Sequence, residues 1–182
     1  MKYFVKKGKV NTDATLNIAV ERAKELGIKH LVVASCSGET VLKLSSCDLN
    51  VVCVTHQVGF KNPGEDEMPQ NMREKLEAAG IKVLTTTHLF AGVDRALRFK
   101  FQGVYPAEII ASTLRMFGQG MKVCVEVAVM ALDAGLIPYG EEIVAVGGTA
   151  VGADTAMVLT PAHSAYLFNT NIKEILCMPR GY

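Results

Sequence analysis

Three short stretches gather the residues of this sequence that could do chemistry: Ser35-Cys36-Ser37-Gly38-Glu39-Thr40, Thr55-His56-Gln57-Val58-Gly59-Phe60, and Gly147-Gly148-Thr149-Ala150-Val151-Gly152-Ala153-Asp154-Thr155. The first sets hydroxyls, a glycine and backbone N–H groups where a strand gives way to a helix, which suits an anion and most naturally a phosphate. The same residues also suit a capped helix after a turn, with Ser or Thr as N-cap and Glu39 complementing the dipole. In the third, Gly147 and Gly148 let a ligand lie close to the backbone and permit positive φ. It is not a Walker loop, because no Gly-Lys-Ser/Thr follows, nor a dinucleotide fingerprint, because a strand follows in place of a helix. A hairpin loop would use the same residues.

Two histidines invite a catalytic reading. His56, at a strand's C-terminal end, is a candidate proton donor or ligand contact, and the only catalytic candidate retained. His163 lies between Pro161 and Ser164 with no acid spaced to orient it. Cys36 sits in the first loop, where a helix N-terminus would lower its pKa, but it lacks the Cys-x5-Arg spacing of a phosphatase and reads as loop packing. The five cysteines form no CxxC pair and are odd in number, so they read as free thiols of a reducing cytosol, with no disulfide frame and no metal site.

These loops need a scaffold. His30–Ala34, Asn50–Val54, Lys82–Thr86, Ile143–Val146, Ala156–Thr160 and Glu174–Met178 read as strands, with a short edge strand between Lys2 and Lys6. Helices are expected from Asn11-Thr12-Asp13 to Leu26, from Val41, from the Asn71 region to Ala79, over Ala107–Met116 and over Met121–Ala134. Gly27, Gly80 and Gly135 act as stops, and Gly118-Gln119-Gly120 interrupts the last two helices. Alternation of strand and helix with short connections predicts an α/β three-layer sandwich around a mostly parallel, mixed sheet of about five core strands. The helix after Met121 is apolar nearly all round. Its polar residues Lys122, Glu126 and Asp133 fall on one stripe, either a structural ion pair or a face of the ligand cleft. In such a sheet ligands sit at the carboxyl ends of the strands, near the switch in strand order, and all three loops reach that rim.

The 182 residues read as one domain (1–182), long enough for a full core. Apolar residues make up 49% and the net charge is +1, which points away from nucleic-acid or membrane surfaces. With no signal-like or transmembrane-length run, a cytoplasmic protein is expected. The apolar surplus favours a homo-oligomer.

The segment from Ala19 to Thr55, with Leu-Val-Val-Ala, Ser-Cys-Ser-Gly-Glu-Thr and Val-Val-Cys-Val-Thr, resembles the C-terminal α/β domain of pyruvate kinase. In that family the Ser-Gly-x-Thr loop holds a phosphate of a sugar bisphosphate activator, and Gly147–Thr155 occupies the place of the effector loop. A nearer resemblance is to small stand-alone proteins, mostly archaeal, similar to this domain. It rests on Ser37–Thr40, Thr55-His56 with Gly59-Phe60, Leu114-Arg115-Met116 with Gln119-Gly120, Lys122–Glu126, Gly135–Pro138, Gly147–Thr149 and Gly152–Thr155.

That resemblance implies a flavin mononucleotide (FMN) site in the cleft, without an established reaction. The barrel that performs pyruvate kinase's chemistry is outside it, so kinase activity is not carried over. Ser35, Ser37, Gly38, Glu39 and Thr40 would hold the phosphate, with Thr55 and His56 at the rim. Gly147, Gly148 and Thr149, with Gly152 and Thr155 beyond them, would let a flat ring or ribityl chain lie on the backbone. Asp154 would accept ribityl hydroxyls or cap its own turn. Phe60 would stack on the ring or belong to the core. Arg115 and Lys122 would place positive charge near the flavin or serve structure alone. The function expected is binding of a phosphorylated ligand, FMN foremost, in a flavin-dependent oxidoreductase. The alternative is a non-catalytic sensor of phosphorylated sugars or nucleotides. A sensor needs a second cation cluster, and Arg95, Arg98 and Lys100 are the only one in the sequence.

Overall fold

The computed structural model describes residues 1–181. The chain starts with β1 (Lys2–Phe4) and continues through α1 (Thr12–Leu26), β2 (His30–Ala34), α2 (Glu39–Leu42), β3 (Asn50–Val54), α3 (Gln70–Ala78) and β4 (Lys82–Leu84). Three helices follow without a strand between them: α4 (Val93–Phe101), α5 (Pro106–Arg115) and α6 (Gln119–Asp133). The chain closes with β5 (Ile143–Gly147), β6 (Thr155–Thr160) and β7 (Asn171–Pro179).

The strands form one sheet in the order β1-β7-β6-β5-β2-β3-β4. β6 runs antiparallel to both neighbours and every other pair is parallel. Both faces are apolar, and each strand deals its side chains alternately to one core or the other. Leu31, Val33, Val51, Cys53, Val144, Val146 and Val158 meet α1 residues Leu16, Ala19 and Ala23 and α3 residue Leu76 in one core. Val32, Val52, Val54, Ile143, Ala145, Met157 and Leu159 meet α6 and α5 in the other. The expected three-layer α/β sandwich is the observed fold.

From β2 the chain steps outward to β3 and β4, then returns through α4–α6 to place β5 on the other side of β2. The seam between β2 and β5 is therefore the topological switch, where a crevice opens at the carboxyl ends of the strands. α1 ends as the sequence predicts, with Gly27 in the left-handed region at φ 69°. Leu26, placed on its packed face by the helical period, is exposed instead.

Two expectations change at the rim. The helix opened by Ser37-Gly38 is a single turn, Glu39–Leu42, too short for a developed macrodipole. Gly118-Gln119-Gly120 does not interrupt: α6 starts at Gln119, with Gly120 inside it, because the space of the missing side chain is taken by Thr155 of β6. α6 is buried between the sheet and α5, so its apolar surface is covered by its own chain and gives no argument for an oligomer. Among the described residues no helix is long and apolar enough to cross a membrane.

Candidate functional site

Two adjoining cavities occupy the rim at the β2/β5 seam. The smaller, about 530 Å³, lies over the loop after β2 and is lined by Ser35, Ser37, Glu39 and Thr40 together with Lys9, Lys43 and Lys61. Gly148, Ala150, Val151 and Gly152 close its other side. The larger, about 810 Å³, lies between the sheet and the α4–α6 helices. Its apolar wall includes Val54, Phe90, Ile109, Ala111, Val127 and Met130, and its polar residues include His88, Arg95, Arg98, Glu108, Arg115, Lys122 and Glu126. Ala34, Cys36, His56, Gln119 and Val123 line both, so the two compartments adjoin.

Three lysines border the hydroxyl loop. Lys9, Lys43 and Lys61 come from three separate segments and converge only in the fold, engaging Glu39 at 3.7 Å, Asp13 at 2.8 Å and Glu67 respectively. No spacing in the sequence signals them. Gly38 takes φ 84° and faces Met72 and Leu76 of α3, so its place is set by backbone geometry and by packing together. Ser37 Oγ accepts from the Glu39 amide at 3.4 Å.

The second glycine loop packs closely against its own chain. A Cβ on Gly147 would lie 2.8 Å from the Gly120 carbonyl oxygen, and one on Gly148 2.3 Å from that of Gly152. The space these glycines free is filled by protein, not left for a flat ring. Gly148 and Gly152 still line the smaller cavity, while Gly147 does not. Asp154 is fully buried. Its carboxylate accepts from the Gly8 amide at 2.8 Å, the Thr149 amide at 3.2 Å and the Thr155 hydroxyl at 2.8 Å. Asp154 thus ties its loop to the segment after β1, and Thr149 and Thr155 serve that tie rather than a ribityl chain.

Ala150 adopts φ 64° at the loop's exposed tip. A non-glycine residue there is strained by roughly 1–2 kcal/mol, part of which glycine's unfolded-state entropy cancels. Ala150→Gly should raise stability by about 0.5–1 kcal/mol in urea titration.

His56 and Phe60 form a tight group. The Phe60 ring stacks on the His56 imidazole with centroids 3.9 Å apart, and the Arg95 guanidinium lies over Phe60 at 5.5 Å. Phe60 therefore orders His56 and Arg95 and is not a free platform for a flavin. His56 Nδ1 is 2.5 Å from Glu67 Oε2, and Lys61 bonds the other oxygen. Burial works to raise the Glu67 carboxyl, and hydrogen bonds from Lys61 and His56 outweigh it, holding the group below its usual range. Burial pushes the Cys36 thiol up, in place of the lowering that a helix N-terminus would give.

His88 is buried against His56 and Phe60, at 5.2 and 5.3 Å between centroids. Burial lowers its pKa, with Glu126 opposing, so its ring is neutral at physiological pH. Nothing in its sequence neighbourhood marks it. Lys122 and Glu126, one turn apart on α6, form a buried ion pair in which Glu126 also accepts the Phe90 amide at 3.0 Å. Burial pulls the Lys122 ammonium down while Glu126 supports it. This pair is a buried ion pair that also lines the larger cavity. Arg115 also lines it and donates to Gln119 at 2.8 Å. Of the basic cluster, Arg95 and Arg98 reach the cleft and Lys100 does not.

Asp133, the third member of the stripe, lies at the far end of α6 and orients His163, whose Nδ1 is 2.8 Å away. His163 thus has an acid, supplied by the fold from thirty residues upstream, but neither residue lines the two cavities.

Two solved structures are similar to this chain. A pyruvate kinase from Cryptosporidium parvum is 16% identical, aligns over 85% of this chain and 23% of its own, and has a TM-score of 0.44. The Cryptosporidium parvum pyruvate kinase in complex with ADP is 16% identical over 96% of this chain and 25% of its own, with a TM-score of 0.42. The chain spans about a quarter of the length of these enzymes. The family model described as pyruvate kinase, alpha/beta domain, matches residues 13–159. The chain therefore belongs to the pyruvate kinase α/β domain family.

Proposed function

We propose that the cleft binds a phosphorylated small molecule with a large flat body, FMN foremost. The observation that carries this reading is the adjacency of two unlike compartments, one lined by hydroxyls and three lysines, the other larger and walled by apolar side chains. Ser35, Ser37 and Thr40 with Lys9, Lys43 and Lys61 would hold the phosphate. The ribityl chain would cross beside Cys36, Gln119 and Val123. The ring would lie between the sheet and α4–α6, against Val54, Val127 and Met130. Bound flavin would supply hydride or single-electron transfer. Arg95, Arg115 and the Lys122–Glu126 pair would bias the charge around it, and the neutral His88 would hold a proton at an imidazole nitrogen, with His56 beside it. An oxidoreductase follows from this reading once a donor is found.

The test is titration with FMN followed by flavin fluorescence and visible absorption, with riboflavin beside it. Ser37→Glu or Thr40→Glu should weaken FMN about 10- to 100-fold, since each hydrogen bond to a charged group carries roughly 1.5–3 kcal/mol. Riboflavin, which has no phosphate, should be weaker in the parent protein and indifferent to either change. A protein that leaves the flavin spectrum untouched would sink the reading.

One observation favours a second reading. Arg95, Arg98 and Arg115 line the larger compartment and supply the second cation cluster that a sensor of doubly phosphorylated sugars or nucleotides requires. Thermal-shift measurements with such ligands separate the two readings.

A further inference from the structure

Cys36, His56 and Glu67 meet at the wall between the two cavities. Each offers one ligand atom, a thiol sulfur, an imidazole nitrogen and a carboxylate oxygen, and these atoms all lie within 4.8 Å of one another. They arrive from different rim loops: Cys36 from the loop after β2, His56 and Glu67 from opposite ends of the long loop after β3. Three donors of different kinds converging from two loops is the usual way a fold builds a metal centre. From metal–ligand bond lengths of about 2.0–2.3 Å, donor atoms around a tetrahedral zinc stand roughly 3.5 Å apart. Seating an ion among them therefore needs movements of about 1 Å, the widest separation closing and the hydrogen-bonded His56–Glu67 contact of 2.5 Å opening, within reach of loop residues.

A second observation points the same way. The Lys61 ammonium is seated on the Glu67 carboxylate, so the trio already accommodates a positive charge at its edge. Its side chain is mostly exposed and lines the smaller cavity, so it can withdraw without opening the core. Phe60 stacked on His56 fixes the ring plane, as a metal-bound imidazole requires.

We propose that Cys36, His56 and Glu67 bind a divalent transition-metal ion, zinc by the softness of a thiolate with an imidazole. Three protein ligands leave one coordination position for water or a ligand oxygen, the arrangement of an open rather than a closed structural site. Cys36 and His56 line both compartments, so that position opens on the passage between them. The proposal does not depend on which phosphorylated molecule occupies the cleft.

The test uses the full chain, stripped of metal and of any chromophore, and titrated with Co²⁺ as the spectroscopic probe. The expected result is a near-ultraviolet sulfur-to-cobalt charge-transfer band with tetrahedral visible bands, saturating at one equivalent and displaced by Zn²⁺. Cys36→Ser should abolish the charge-transfer band. It should also weaken Zn²⁺ by more than about 100-fold, beyond the loss seen when an outer partner of a ligand is removed. Glu67→Gln should keep the band and weaken the ion at least about tenfold, whereas Cys47→Ser, on a thiol outside the trio, should change nothing. Circular dichroism establishes that each variant is folded, and His56→Ala carries the test if Cys36→Ser is not. No charge-transfer band, or one that survives Cys36→Ser in a folded protein, overturns the proposal.

Discussion

Lys122→Met should lower folding stability by about 3–5 kcal/mol, because it leaves the Glu126 carboxylate buried without its counter-charge. The side chains of the pair are 7% and 6% exposed, so solvent cannot take over the role of the ammonium. Met matches the length of the lysine stem and removes the charge alone. For a chain of this length a loss of that size corresponds to a fall of roughly 10 °C in Tm. The double variant with Glu126→Gln is the control. Glutamine still accepts from the Phe90 amide but carries no charge to strand, so it should recover at least half of the loss. Urea titrations of the two single variants and the double one complete the cycle. A single-variant effect below about 1 kcal/mol would mean that water reaches Glu126 from the cleft, which would place the pair in the ligand's path rather than in the core.

Gly152→Ala is the second large effect. Gly152 has φ 78°, and a Cβ there would stand 2.5 Å from Thr12 Oγ1 and 2.6 Å from Lys9 Cα. A change of rotamer would relieve the first contact in another setting, but here the Thr12 hydroxyl accepts from the Ala153 amide at 3.1 Å and the second contact is backbone. Positive-φ strain of roughly 1–2 kcal/mol adds to an overpacking cost of roughly 1–3 kcal/mol, giving an expected loss of about 3 kcal/mol. The change should also push Lys9 away from the smaller cavity, so that phosphate-dependent affinity falls in the folded fraction as well. Stability by urea titration and FMN affinity by fluorescence read the two consequences separately.

Local chemistry made much of this fold legible. The buried strands His30–Ala34 and Asn50–Val54 and the left-handed glycine after α1 follow from apolar runs and stop signals that act over a few residues. β7 is harder to read: it starts at Asn171, three residues before the start the sequence predicts, because Asn171 and Ile172 pair with β6, Lys173 falls at an irregularity in the register, and all three expose their side chains. Gly120 reads as a break because helix propensity penalises glycine, yet Thr155 leaves room for nothing else there. The hydroxyl loop and His56 were visible as candidates. His88, Glu67 and the three lysines were not, since each owes its place to a contact between segments far apart in the chain. Gly147, Asp154 and Phe60 leave two alternatives open in the sequence for one shared reason. A glycine, a carboxylate or a ring at the rim satisfies a neighbouring protein segment with the same chemistry by which it would satisfy a ligand, and only the fold says which partner stands there.

The position of the seam also governs the order in which the molecule can assemble. β2 pairs with β3 about twenty residues on, but with β5 only across more than a hundred, Leu31 aligning with Val144. Closure of so long a loop is slow. During synthesis β2, β3 and β4 can pair while β2 still presents an open, apolar edge of Leu31, Val32 and Val33 to the solvent. That edge is the segment most exposed to mispairing before β5 arrives. The rim of the cleft is completed by the same event that removes the hazard, so ligand binding would report the last step of folding. Amide protection at Val144–Val146 should appear together with the ability to bind.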